Sequence, residues 1–155
     1  MEDYTRQLAR FAVHSRPGDV PGEIRHEGTR ALVNWIGLPI NASRHDTTER
    51  AIAAFAEFSG PRQASLLGRG EKLDIFKAAF INCIASCIAD YDDTHLETVI
   101  HPTGPVASTL LALAEHRKTA GSEFLHALIL GVEAQCRLAR ALAVAPAKCD
   151  PAWFL

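Results

Sequence analysis

Apolar residues recur at helical spacing along almost the whole chain. Tyr4, Leu8, Phe11 and Ala12 fall at i, i+4, i+7 and i+8, one face of a first helix. Arg16-Pro17-Gly18-Asp19-Val20-Pro21 interrupts it, because proline lacks an amide donor and glycine costs backbone entropy. A second helix is predicted from about Gly22 to Ile36, burying Ile24, Ala31, Leu32 and Trp35, with Gly37-Leu38-Pro39 as its stop. Asp46-Thr47-Thr48-Glu49 has the form of a capping box, with Asp46 as the cap of a helix running to about Phe58. Gln63 to Leu67 is the one segment with strand character, closed by Gly68-Arg69-Gly70.

The second half is more apolar. A long helix from about Asp74 to Ala89 carries Phe76, Phe80, Cys83 and Cys87 on one side and Ala79, Ile84 and Ile88 beside them, so it is expected to be buried on most sides. Two more helices follow, about Pro105 to Lys118 and Ser122 to Val144. Pro105 suits a first helical turn. In the last helix Leu125, Leu128, Ile129, Val132, Cys136 and Ala139 form the expected core stripe, and Glu133 and Arg137 are spaced to pair on the surface. Trp153, Phe154 and Leu155 at the C-terminus are expected to seek a partner surface. The fold class that results is all-α: a bundle of about six helices with at most one short strand.

Composition narrows the function classes. A chain of 155 residues, 48% hydrophobic and 22% charged, has the balance of a globular domain. A formal net charge of −2 argues against a nucleic-acid surface. No basic stretch followed by an apolar run opens the chain, and no segment has the roughly 18 apolar residues of a membrane helix. The cysteines Cys83, Cys87, Cys136 and Cys149 form no CxxC pair and read as reduced, packed thiols. The expected compartment is the cytoplasm or an organelle matrix.

Polar chemistry is concentrated between the two most apolar helices, in Asp90-Tyr91-Asp92-Asp93-Thr94-His95 and His101-Pro102-Thr103-Gly104-Pro105. This places carboxylates and imidazoles at the expected lip of a core cavity. A helix N-terminus offers free amides and the positive end of its dipole to an anion. Gly104 would let such a ligand approach the backbone. Histidine exchanges protons near neutrality, and Asp90 is the carboxylate expected to orient it. The bland readings are helix capping for His101, a surface position for His95, and capping with solvation for Asp92 and Asp93. A metal site from Asp92, Asp93, His95 and His101 has competent ligands but no spacing that fixes a geometry, so no metal is assigned.

Asn82, Asp90-Tyr91-Asp92-Asp93-Thr94, His101-Pro102-Thr103-Gly104 and Leu111-Ala112-Leu113-Ala114-Glu115 together resemble the MmgE/PrpD signature, as does Leu130-Gly131-Val132-Glu133. The resemblance covers residues 1–155, as the N-terminal part of the family's large helical domain. It implies a lyase or isomerase of the 2-methylcitrate dehydratase and cis-aconitate decarboxylase type, acting without cofactor on a small di- or tricarboxylate. It implies His101 and Asp90 as catalytic residues and Thr94 as substrate-binding; the helix start adds Thr103 and Gly104 to the substrate-binding set, and Asp92 and Asp93 are read as structural caps of the motif. It also implies homodimers formed through helical domains. Cys87 departs from the histidine often found at its place. The family's lid domain and later basic residues are expected to be missing from this chain, which would leave it truncated and inactive alone. The alternative is a non-catalytic helical dimerisation or interaction module.

Overall fold

In the computed structural model, residues 3–58 and 60–142 are described. They form six α-helices and one small hairpin: α1 Tyr4–His14, α2 Gly22–Asn41, α3 Asp46–Phe55, β1 Ala64–Ser65, β2 Lys72–Leu73, α4 Ile75–Cys87, α5 Thr103–His116 and α6 Gly121–Leu142. Short 3-10 turns at Pro17–Asp19 and Ala56–Phe58 follow α1 and α3. The all-α expectation holds. The single expected strand is instead an antiparallel pair, with Ala64 opposite Leu73 and Ser65 opposite Lys72. No described helix is long and apolar enough to cross a membrane. Cys149, Trp153, Phe154 and Leu155 lie outside the described residues.

The centre of the fold is the α4–α5 pair, which α2 and α6 flank. Its contact face is made of small residues: Ala78, Ala85 and Ser86 of α4, and Gly104, Ala107 and Ser108 of α5, all buried. A Cβ added at Gly104 would lie 2.9 Å from Ser86 Oγ, so the absent side chain is what allows the two helices to come this close. Gly104 therefore serves helix packing, where the sequence suggested ligand approach. Two clusters extend the core. Leu66, Ile81 and Ala112 meet Ile52 and Phe55 under the hairpin. Trp35, Ala107 and Leu128 meet Leu32, Leu111 and Val132 between α2, α5 and α6.

Local expectations are corrected in three helices. First, α4 turns its small residues inward, not its aromatics: Phe76 is 86% exposed and Phe80 52%. Because α4 is apolar all round, its pattern could not choose a face, and the Gly, Ala and Ser surface of α5 chose it. Second, α2 continues through Pro39 to Asn41. Proline there forfeits one helical hydrogen bond, but burial of Leu38 and Pro39 against the core offsets the loss. Ile24, placed in the core by periodicity, is 44% exposed. Third, His45 and not Asp46 caps α3, its Nδ1 accepting from the Thr47 amide at 3.2 Å. Glu49 is drawn away to Arg69, whose buried guanidinium also bonds Glu71 and, at 2.7 Å, the Ser43 carbonyl.

Candidate functional site

The polar segment is the connection from α4 to α5, and it is held as a folded loop rather than a solvated one. Asp90 leaves α4 in the left-handed region, φ 50°, which aspartate tolerates better than most residues. Its amide donates to the Cys87 carbonyl at 3.2 Å. Next, the Tyr91 carbonyl accepts from Asn34 of α2 at 3.2 Å, which ties the loop to the bundle. His95 pairs with Ile100 across a tight turn, its amide donating to the Ile100 carbonyl at 2.9 Å. Val99 closes that turn at φ 56°, an unusual conformation for a β-branched residue. His95 Nδ1 lies 2.7 Å from Thr98 Oγ1, so this ring is occupied within its own turn.

The turn returns the chain to His101, on which three groups converge. His101 Nδ1 lies 3.1 Å from the Asp93 carbonyl, 3.3 Å from Thr94 Oγ1 and 3.6 Å from Asp92 Oδ2. A carbonyl can only accept, so Nδ1 carries the hydrogen. In the neutral ring Nε2 is then the basic nitrogen, on a side chain that is 40% exposed. The carboxylate beside this imidazole is Asp92, whereas the sequence pointed to Asp90. Asp90 is exposed, and its carboxylate makes no hydrogen bond or ion pair among the described residues. Sequence reasoning missed Asp92 because three aspartates within four residues look alike. No local signal separates them: Tyr91 is 77% exposed, residues 90 and 91 face outward, and the Asp92 side chain is buried.

Asp93 takes the start of α5. Its Oδ1 accepts from the Thr103 amide at 3.2 Å and its Oδ2 from Thr103 Oγ1 at 2.7 Å. The helix terminus expected to bind a substrate carboxylate is thus met by the chain's own carboxylate, and the Thr103 hydroxyl is buried and committed to it. Asp93 and Thr103 also line a largely apolar groove of about 530 Å³, between α1, α2 and α6. His101 and Thr94 are not among the residues that line this groove.

Beneath the loop lie the last turns of α4. Burial, with added repulsion from Cys87 and Asp92, pushes the Cys83 thiol up to about 11. Burial likewise raises Cys87. Both stay neutral near pH 7. Among the described residues no group of three or more His, Cys, Asp or Glu side chains is arranged to hold a metal ion. Arg140 reaches the loop from α6 and pairs with Glu97 at 2.9 Å.

Comparison with known proteins gives the site its context. The family model described as the MmgE/PrpD N-terminal domain matches residues 6–154. The chain is 25% identical over 143 residues to a cis-aconitate decarboxylase of Aspergillus terreus, and equally to that of A. terreus strain NIH 2624 / FGSC A1156. The match covers 89% of this chain and 29% of each relative.

Proposed function

This chain belongs to the MmgE/PrpD family, and from that premise we propose that its α4–α5 loop moves a proton at carbon beside a carboxylate of a small di- or tricarboxylic acid. The outcome in such an acid is dehydration, decarboxylation or epimerisation. The observation that carries the reading is the locked ring of His101. With Nδ1 donating to the Asp93 carbonyl, Nε2 presents its lone pair outward and acts as general base. In epimerisation or dehydration the substrate C–H bond breaks and the proton goes to Nε2; the electron pair spreads into the adjacent carboxylate and is then reprotonated or expels the β-hydroxyl as water. In decarboxylation the C–C bond to the departing CO2 breaks instead, and protonated Nε2 delivers its proton to the carbon left behind. Thr94 Oγ1, which lies beside the ring, directs its hydroxyl hydrogen to a substrate carboxylate. Asp90, at the mouth of the loop, is available to hold or relay a proton.

A di- or trianion needs more positive charge than this loop supplies, since Arg140 is already paired. The 155-residue chain alone is therefore expected to show little or no turnover. The test uses the natural gene product, assayed with cis-aconitate, 2-methylcitrate and related acids. His101→Gln is expected to lower kcat by about 10²–10⁴-fold. Turnover that survives this substitution would remove the catalytic reading.

A second reading has its own support. Phe58, Phe76 and Phe80 leave an aromatic surface on and beside α4 at 69%, 86% and 52% exposure. A face of that kind suits an interaction module, with a second copy of the chain as the expected partner. Sedimentation showing a monomer at all workable concentrations would count against it.

A further inference from the structure

Asp92 has no task in the reaction outlined above, yet its carboxylate is buried in the loop. Its side chain is 5% exposed, and Oδ2 is sealed from solvent with no hydrogen-bond partner among the described residues. An ionised carboxylate in that condition is expensive to hold. Its surroundings offer it one weak donor, the Cys87 thiol. It lies against Cys83 and Cys87 at the C-terminal end of α4, the end that carries partial negative charge. Within 4 Å, among the described residues, the group able to become a cation is His101.

We propose that Asp92 is the positioning residue for His101, a buried counter-charge for the imidazolium that forms when Nε2 takes a proton from substrate. In the resting state Nδ1 donates to the Asp93 carbonyl and the 3.6 Å contact to Asp92 is loose. Once Nε2 is protonated the ring carries a full charge, and the contact becomes a charge-assisted one to a carboxylate that is itself buried. Asp92 exchanges no proton. It lowers the energy of the charged state only, which is the state the reaction must reach. The inference rests on the function proposed above, but its physical core is the pairing of this carboxylate with a cationic ring.

The other titratable groups facing Asp92 are the two thiols of α4, which stay neutral through the range used below. The neighbouring Asp93 is held by Thr103. Thermal melts of the natural gene product and its Asp92→Asn variant, at about pH 8.5 and about pH 5.5, bracket the ordinary imidazole range. At the higher pH the variant is expected to melt at or above the parent, because an orphan charge has gone. At the lower pH it is expected to melt below the parent, because a pair has gone. In a His101→Gln background the pH dependence of that difference should vanish. An equal loss at both pH values would show a purely structural carboxylate and overturn the proposal.

Kinetics give the second arm. Asp92→Asn is expected to lower kcat by about 10²-fold with KM changed less than about threefold, and Asp92→Glu to restore part of the loss. Added to His101→Gln, it should cost nothing further, since the two act as a unit. If His101→Gln abolishes turnover while Asp92→Asn leaves it intact, this inference fails and the functional reading stands. If no acid is turned over by the parent, the functional reading fails, and the melts still decide whether Asp92 pairs with a charged ring.

Discussion

Replacing Asp93 by alanine removes the two hydrogen bonds that close the start of α5. Both acceptors serve one residue, Thr103, whose amide and hydroxyl are then left without their partner in a position that is 2% exposed. Loss of a helix cap costs about 0.5–2 kcal/mol, and stranding a buried polar group costs about 1–3 kcal/mol. These describe the same bonds and are not summed, so about 2–3 kcal/mol is expected. For a chain of this size that is a fall in Tm of roughly 5–10 °C, at about 2–4 °C per kcal/mol. Far-UV circular dichroism melts and urea unfolding would measure it. Thr103→Val, combined with Asp93→Ala in a double-mutant cycle, should show that most of the loss is shared. The same variant also vacates the helix terminus. Succinate should therefore stabilise Asp93→Ala more than the parent, in which an internal carboxylate already holds that place. If Asp93→Ala lies within about 0.5 kcal/mol of the parent, or if succinate stabilises both proteins equally, Asp93 is not the anion that terminates α5.

Three further outcomes follow from the packing. Gly104→Ala is expected to cost about 1–3 kcal/mol by forcing Ser86 away, and Ser86→Ala in the same chain should recover much of it, as read by urea unfolding. Val99→Gly should stabilise by up to about 1 kcal/mol, because an exposed β-branched residue leaves the left-handed region; a lower urea midpoint would refute this. Arg69→Met should lower Tm at neutral pH, and the gap should close on acidification. The hydrogen bond from Arg69 is the largest cause holding both Glu49 and Glu71 below the usual carboxylate range. A depressed carboxylate adds stability above its unfolded value and loses it as pH falls, so the difference should shrink below about pH 4. A gap that stays constant from pH 7 into acid would show that the ion pairs contribute nothing.

The order of the helices was legible because amphipathic spacing and breakers agree. Tyr4 to His14 and the break at Pro17 follow from local rules, whereas Gly121, expected to stop α5, opens α6 instead. What stayed hidden depended on partners. Asp46 looks like a cap until His45, one residue earlier, is seen to take the Thr47 amide. Pro39 looks like a stop until its burial is known. The inward face of α4 could not be chosen by a helix with apolar residues all round; the small side chains of α5 decided it. The loop chemistry was partly legible. Periodicity isolated the segment, and the pairing of histidine with aspartate was anticipated. The choice among Asp90, Asp92 and Asp93 was not, because it depends on a left-handed backbone at Asp90 and on Asn34 reaching across from another helix.

A two-residue strand would ordinarily leave one row of backbone groups open to any passing chain. In β1 that row is already taken by side chains. Asn82 of α4 accepts from the Leu67 amide at 3.0 Å and donates to the Ser65 carbonyl at 3.0 Å, copying the bonds of a neighbouring strand. Glu115 of α5 accepts from the Ser65 amide and, at 2.7 Å, from its hydroxyl. The hairpin thus ends in a closed border, with no template for sheet extension along that side. The two helices that carry the polar loop between them also seal the β1 edge of the fold's small sheet against strand-to-strand pairing.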